Sequence, residues 1–378
     1  MNLRNEGKAL NKKKVCVVTY SHSKNYGAAL QLFATYKALE MRGYNPIVLN
    51  YVNEFESSNK IKDVLKRQSG LKGKMRAFVS SYLLGSIKNG INNFTPFYSK
   101  MHYTGEIHSV FEMGDFTDID VFLVGSDQVW NPLITGEYDK VFLLADHSIK
   151  GKRVSFSSSM GSIGNAKWDD KLFVDSLEKF EKIAVREKIA KDYIKDKINK
   201  PVQVTVDPTM LFDKKHWENI ILSKKNMVNE KYILVYALGG HFDELNDLAH
   251  KIGGKIGAKV AAITLSNVYK KVDYKITTAT PEDFVQLVFN AEFVVTNSFH
   301  GTCFSIIGET PFYSVYFDSN PKRVEDLLNK YGLSKRLVKI DADYNDTAIC
   351  IDDIKSANKK IEVDRQDSLK WLEDAIND

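Results

Sequence analysis

The feature that most constrains this chain is a recurring grammar. A short apolar, β-branched run stops at a polar or glycine-bearing turn, and a stretch with apolar residues at helical spacing follows. Val15-Cys16-Val17-Val18-Thr19-Tyr20 gives way to the polar loop Ser21 to Asn25, and from Tyr26 onward apolar residues recur through Ala29, Phe33, Tyr36 and Leu39. That helix is expected to end near Arg42-Gly43, after which Ile47-Val48-Leu49 supplies a second strand. Strands covered on both faces read as continuous apolar runs, and short connections through a helix join parallel neighbours, so this opening is a βαβ unit.

Later runs repeat the pattern. Val121-Phe122-Leu123-Val124 ends at Gly125-Ser126-Asp127, and Val154-Ser155-Phe156 runs into Ser157-Ser158-Ser159. Ile183-Ala184-Val185 ends at Arg186-Glu187, and Val202 to Val206 ends at Asp207-Pro208, with helical stretches over Asp170 to Lys182 and Lys188 to Ile198. A charged stretch around Lys214 to Lys231 reads as a link to a second series. That series begins at Tyr232 to Leu238 with Gly239-Gly240. It continues through Lys259 to Leu265, a helix over Pro281 to Asn290, a strand leading to His300, and Phe312 to Tyr316. Ile351 to Ile376 reads as a helical tail.

A chain of 378 residues is long for one core. The expected fold is therefore α/β, with two Rossmann-like doubly wound domains facing a central cleft and a C-terminal helical tail. The expected boundaries are 13–213 for the first domain, with a basic helical insertion over about 58–92, then a linker at 214–230. The second domain would span 231–345 and the tail 346–378.

Composition narrows the function classes. Hydrophobic content of 43% and charged content of 27% suit a soluble globular protein, and a net charge of +5 is modest. No stretch has the apolar length of a membrane span, and Val15 to Tyr20 is too short for a signal-peptide core. Cys16, Cys303 and Cys350 lack zinc-like spacing and read as reduced thiols, so a cytoplasmic location is expected. Lys60 to Lys88 is strongly basic and interleaved with apolar residues. Such a segment would lie on the anionic inner surface of a membrane; the alternative is a solvated helical insertion. The basic residues form one local cluster without a stacking-aromatic motif, so no nucleic-acid partner is expected. No strand is followed by Gly-x-Gly-x-x-Gly, and there is neither a Walker A loop nor a His-Glu-x-x-His zinc site.

Chemistry concentrates where strands end. The run Ala291 to Thr296 stops at Asn297-Ser298, and Phe299-His300-Gly301 opens a helix, which places His300 beside the free N–H groups of a helix start. A histidine there binds an anion as imidazolium or hands a proton to adjacent chemistry; the alternative is a histidine hydrogen-bonded to nearby backbone. Polar residues also end the strands at Ser23 to Gly27, at Gly125-Ser126-Asp127-Gln128-Val129-Trp130 and at Val185-Arg186-Glu187. Open α/β sheets bind ligands at such positions.

Taken in order, these segments resemble the polysaccharide pyruvyl transferase family. The resemblance rests on Ser298-Phe299-His300-Gly301, the Asn25-Tyr26-Gly27-Ala28 loop with Leu30-Gln31, Gly125-Ser126-Asp127-Gln128, and Asp207-Pro208-Thr209. One departure is Met160 before Gly161, where the family would carry an aromatic residue. The resemblance implies a GT-B-like architecture and transfer of pyruvate from phosphoenolpyruvate onto two hydroxyls of one sugar, giving a cyclic ketal and free phosphate. It implies a role in making exopolysaccharide or capsule, with an acceptor that is often carried on a lipid. It also carries over His300 and Arg186 as phosphoenolpyruvate contacts, beside Ser298, Phe299 and Gly301 of the same motif.

The residues agree with that implication. Phosphoenolpyruvate presents a phosphate and a carboxylate, and Arg186 has the fork to grip either one; the alternative is an ion pair with Glu187 or Glu181. His300 is the expected general acid. Asp127 is the expected base, with capping of the next turn as its alternative. Asn25, Tyr26, Ser126, Asp127, Gln128 and Trp130 are the expected acceptor contacts, with core or loop packing as the alternative for Trp130. No cofactor or metal is expected, phosphoenolpyruvate being a co-substrate. The rival readings are a nucleotide-sugar glycosyltransferase on the same architecture and a non-catalytic glycan- or anion-binding protein. Asp118-Ile119-Asp120 precedes its strand and reads as a turn, and Cys303, one helical turn after His300, reads as a packing residue.

Overall fold

The structure is a computed structural model in which residues 12–52, 93–161, 170–221, 226–239, 241–264, 271–317, 321–340 and 349–378 are described. The basic segment Lys60 to Lys88, and with it the expected insertion, lies outside the described residues.

Two all-parallel sheets organise the chain. The first contains β1 (Lys14–Val18), β2 (Asn45–Tyr51), β3 (Tyr103–Ile107), β4 (Val121–Val124), β5 (Lys152–Ser158), β6 (Lys182–Val185) and β7 (Val202–Val204). The second contains β8 (Tyr232–Tyr236), β9 (Lys259–Ile263), β10 (Tyr274–Ile276), β11 (Phe293–Thr296), β12 (Phe312–Tyr316) and β13 (Leu337–Lys339). Their orders are β3-β2-β1-β4-β5-β6-β7 and β10-β9-β8-β11-β12-β13, which is doubly wound topology in both. The helices of two turns or more are α1 (Tyr26–Met41), α2 (Asp170–Leu177), α3 (Lys188–Lys195), α4 (Lys214–Ile220), α5 (Phe242–Ile256), α6 (Pro281–Phe289), α7 (Phe299–Ile307), α8 (Lys322–Tyr331) and α9 (Asp352–Asn377). The expected fold class is thus present. The stretch read as a linker holds helix α4, capped by Asp213, whose carboxylate accepts from the His216 N–H.

Side-chain alternation explains how the sheets pack. Val15 and Val17 of β1 face one core, while Cys16 and Val18 face another. In β8, Tyr232, Leu234 and Tyr236 face the first of these cores, and Ile233 and Val235 face a third. The core shared by both sheets is continuous: Tyr26, Phe33 and Met210 from the first domain join Phe284, Phe304 and Phe312 from the second. Tyr26 is its keystone. Its ring stacks on Phe284 at 5.0 Å and meets Tyr236 edge-on at 5.8 Å. Its hydroxyl donates to the Ala279 carbonyl at 3.0 Å.

Helix α9 runs across both domains. At its start, Asp353 pairs with Arg336 beside β13. Midway, Arg365 donates to the Met210 carbonyl, and the Ser368 hydroxyl accepts from the Val206 N–H at 3.1 Å. Toward its end, Trp371 stacks on Phe156 and Glu373 pairs with Arg42. No helix among the described residues is long and apolar enough to cross a membrane.

Candidate active site

In both sheets the strand order reverses next to the first strand, between β1 and β4 and between β8 and β11. Ligands of such sheets bind outside the carboxyl ends of the strands at that reversal. The loops after β1, β4, β6, β7 and β11 meet there.

The loop after β11 is fixed by its own polar residues. Asn297 accepts from the Leu238 N–H at 2.7 Å and donates to the Leu238 carbonyl at 2.8 Å, which ties the ends of β8 and β11 together. Ser298 caps α7 by accepting from the Gly301 N–H at 3.2 Å. Gly301 is required by crowding, since a Cβ there would lie 2.5 Å from the Thr296 hydroxyl. His300 therefore leaves the first turn of α7 in a set direction and is 7% exposed.

Its ring crosses to the first domain and lies against the opening turn of α1. A Cβ on Gly27 would fall 2.0 Å from His300 Nδ1, so only glycine leaves room for the imidazole. Asn25 holds that turn by accepting from the N–H groups of Gly27 and Ala28. On the other side, His300 Nε2 lies 3.4 Å from Asp207 Oδ2. That is ion-pair distance, but Nε2 is fully buried and makes no well-formed hydrogen bond.

Asp207, at the end of β7, is the hub. Its Oδ1 accepts from the Thr209 N–H at 3.0 Å and hydroxyl at 2.7 Å, and its Oδ2 accepts from Arg186 Nη1 at 2.7 Å. Burial alone would raise its pKa, but His300, Arg186 and Thr209 together hold the carboxyl well below the usual carboxylate range.

Arg186, at the end of β6, donates from Nε to Glu187 at 2.9 Å. Glu187 also accepts from the Ser159 hydroxyl at 2.7 Å. The expected alternative of an ion pair with Glu187 is therefore present together with an ion pair to Asp207, while the Glu181 carboxylate is turned to the Arg153 N–H instead. Desolvation opposes the charge, yet Glu187, Asp207 and Asp127 raise the Arg186 pKa above its ordinary value. One donor, Nη2, is buried and has no partner among the described residues. The guanidinium thus keeps one unpaired donor instead of the full fork expected from sequence.

A second cation was not expected. Arg323, in the first turn of α8, sits 5.7 Å from the centre of the Phe299 ring, which Arg186 also covers at 4.4 Å. Arg323 keeps some accessible surface but is densely enclosed, and burial, then the charge of Arg186, pull its pKa down. Its sequence signal is weak but physical. Lys322 and Arg323 open a helix at the end where the dipole disfavours cations, so a compensating negative charge is called for.

The acceptor side divides. Ser126 is fully buried and its hydroxyl has no partner among the described residues, while Asp127 sits at φ +64° and accepts from the Gln128 N–H at 2.9 Å. The capping alternative for Asp127 is therefore present, although its charge also acts on both Arg186 and Arg323. Gln128 accepts from the Asn131 side chain. Three expected acceptor contacts need correction, the enclosed Ser126 among them. Tyr26 is 1% exposed and belongs to the core between the domains. Trp130 is fully enclosed, donates to the Phe142 carbonyl at 3.0 Å, and meets Phe173 and Phe180 edge-on. Neither ring offers a face to a sugar. Cys303 is fully buried, and desolvation pushes its thiol well above the ordinary value, as suits packing and not nucleophilic attack.

Comparison with known proteins places this geometry. A family model described as polysaccharide pyruvyl transferase matches residues 25–319. No curated protein matches the sequence. Among solved structures, the chain is similar to a putative UDP-N-acetylglucosamine 2-epimerase from Listeria monocytogenes, at 11% identity and a TM-score of 0.51, with 85% of this chain and 82% of that one covered. It is likewise similar to Arabidopsis thaliana UGT89C1 complexed with UDP-L-rhamnose, at 12% identity and a TM-score of 0.51, covering 97% and 98%. The glycosyltransferase SnogD from Streptomyces nogalater gives 9% identity and a TM-score of 0.50 over 96% and 100%. At these identities the likeness is one of fold, and the fold is that of GT-B glycosyltransferases and epimerases.

Proposed function

The chain belongs to the polysaccharide pyruvyl transferase family, and from that membership we propose that it transfers pyruvate from phosphoenolpyruvate onto two hydroxyls of one sugar in a surface-polysaccharide precursor. One observation carries the reading. Arg186 and Arg323 both lie within reach of the Phe299 ring, at 4.4 and 5.7 Å from its centre, and the buried Arg186 Nη2 has no hydrogen-bond partner among the described residues. Two cations at one ring, one with an unpaired donor, suit a ligand with two anionic groups, and phosphoenolpyruvate has a phosphate and a carboxylate.

His300 protonates the methylene carbon of the donor, which leaves the central carbon electrophilic. A sugar hydroxyl attacks that carbon. The bond to the bridging phosphate oxygen breaks, phosphate leaves, and the second hydroxyl closes the ketal. Of the two hydroxyl protons released, one restores His300 and the other leaves on phosphate. Asp127, whose charge reaches both arginines, is the base that relays them. Gln128 and Asn25 line the acceptor side.

The test is phosphate release from phosphoenolpyruvate by the purified protein with galactoside, glucoside and mannoside acceptors, free and lipid-linked. Mass spectrometry of the same samples looks for a pyruvyl ketal. Acceptor-dependent phosphate with a matching adduct supports the reading. Absence of phosphoenolpyruvate binding, together with binding of a nucleotide sugar, would replace it with a glycosyltransferase.

A further inference from the structure

Asp207 does more in this site than balance Arg186. Its carboxylate is held by Thr209 and Arg186, so Oδ2 faces His300 Nε2 at 3.4 Å from a fixed position. A bare ring nitrogen would set its lone pair against that carboxylate. A protonated one meets it favourably, so the proton sits on Nε2. The same nitrogen is fully buried and already faces that carboxylate. The other ring nitrogen, Nδ1, lies against the opening turn of α1 in the space a Gly27 side chain would take.

We propose that Asp207 and Gly27 together set the working edge of His300, with Asp207 as a positioning residue that keeps the proton on Nε2 and Gly27 admitting the ring in that orientation, so that Nδ1 is the nitrogen left to meet the ligand. This rests on the donor reading above only in naming phosphoenolpyruvate as that ligand. The proton moved to the donor carbon is then the one Nδ1 carries in the imidazolium, and Nε2–H stays with Asp207 through the step. The neutral ring left behind already has the tautomer that Asp207 favours, so no ring flip is needed between turnovers.

The test uses the full chain with its eight histidines labelled with 15N, and His300 is assigned by the signals lost in His300→Gln. At alkaline pH the wild-type ring is expected to show a pyrrole-type Nε2 and a pyridine-type Nδ1. Added phosphoenolpyruvate is expected to shift Nδ1 and leave Nε2 nearly still. The reverse tautomer, or a ligand shift confined to Nε2, overturns the assignment without any variant having to fold. In Asp207→Asn the two tautomers are expected to mix, with kcat falling by about 10²-fold. Thr209→Val loses one hydrogen bond to the same carboxylate and is expected to keep the Nε2–H tautomer; a mixed tautomer there would assign the effect to general loosening of the site. An Nε2–H ring that ignores phosphoenolpyruvate keeps the role of Asp207 and removes the donor reading.

Discussion

Tyr26 and Gly27 are neighbours in sequence, yet they face two different kinds of contact between the domains. Tyr26 enters an aromatic seam with Phe284 and Tyr236, and its hydroxyl is satisfied by the Ala279 carbonyl. Gly27 borders a charged cluster in which Arg186 Nη2, Glu187 Oε2 and His300 Nε2 are buried without hydrogen-bond partners. Buried polar atoms are almost always paired, so the seam is a finished interface and the cluster is an unfinished one. The seam stabilises the union of the domains, and the unpaired atoms of the cluster cost some of that stability.

The contrast can be broken by substitution. His300→Ala should lower acceptor-dependent phosphate release by about 10²–10⁴-fold with little change in melting temperature; near-normal turnover would remove the acid role. Tyr26→Ala should do the opposite, costing about 3–5 kcal/mol in denaturant titration because it empties a fully packed aromatic site. A cost under about 1 kcal/mol would mean that the seam does not hold the domains. Arg323→Gln should raise the KM for phosphoenolpyruvate about 10- to 100-fold, the worth of one or two charge-assisted hydrogen bonds, and should leave stability equal or higher because a cation is taken away from Arg186. A drop in stability with unchanged KM would move Arg323 to the finished side.

The smallest expected effect sharpens the comparison through pH. Asp207 has a depressed pKa in the folded state, so its stabilising contribution is complete above its unfolded value of about 3.9 and is lost as pH falls below that. Asp207→Asn should therefore flatten the acid limb of a stability-against-pH curve, while Tyr26→Phe should shift the whole curve down evenly. Parallel curves for the wild type and Asp207→Asn would show that Asp207 is not held by its cations.

The sequence made most of the sheet legible because strands buried on both faces are unbroken apolar runs, as in Val121–Val124 and Phe293–Thr296. It hid β3, β10 and β13, each the edge of its sheet or short and mixed in character, because such strands lack that two-sided burial. Helix α4 read as a linker because Trp217 is its one fully buried side chain among charged neighbours. His300 and Arg186 stood out by their places at strand ends. Whether a loop aromatic turns outward to a sugar or inward to a core is set by tertiary packing, so Tyr26 and Trp130 could not be placed from composition. Asp207 ended a strand as visibly as Arg186 did, but its importance comes from partners more than twenty residues away. Arg323 reaches the site only because β12 and α8 fold back beside Phe299.

Helix α9 gives the molecule an order of assembly. The Val206 N–H, next to Asp207, is bonded to Ser368 across a sequence separation of 162 residues. Arg365 holds the following turn through the Met210 carbonyl across 155. A domain that emerges first on the ribosome can fold first, but contacts this distant wait for the later chain. The first domain can therefore be folded while the loop that carries Asp207 still lacks its outer support. A nascent chain stopped ahead of Arg365 should show protease-resistant first-domain fragments and no ligand-dependent protection, so catalytic competence is acquired late in the life of the newly made protein, after most of its mass is already in place.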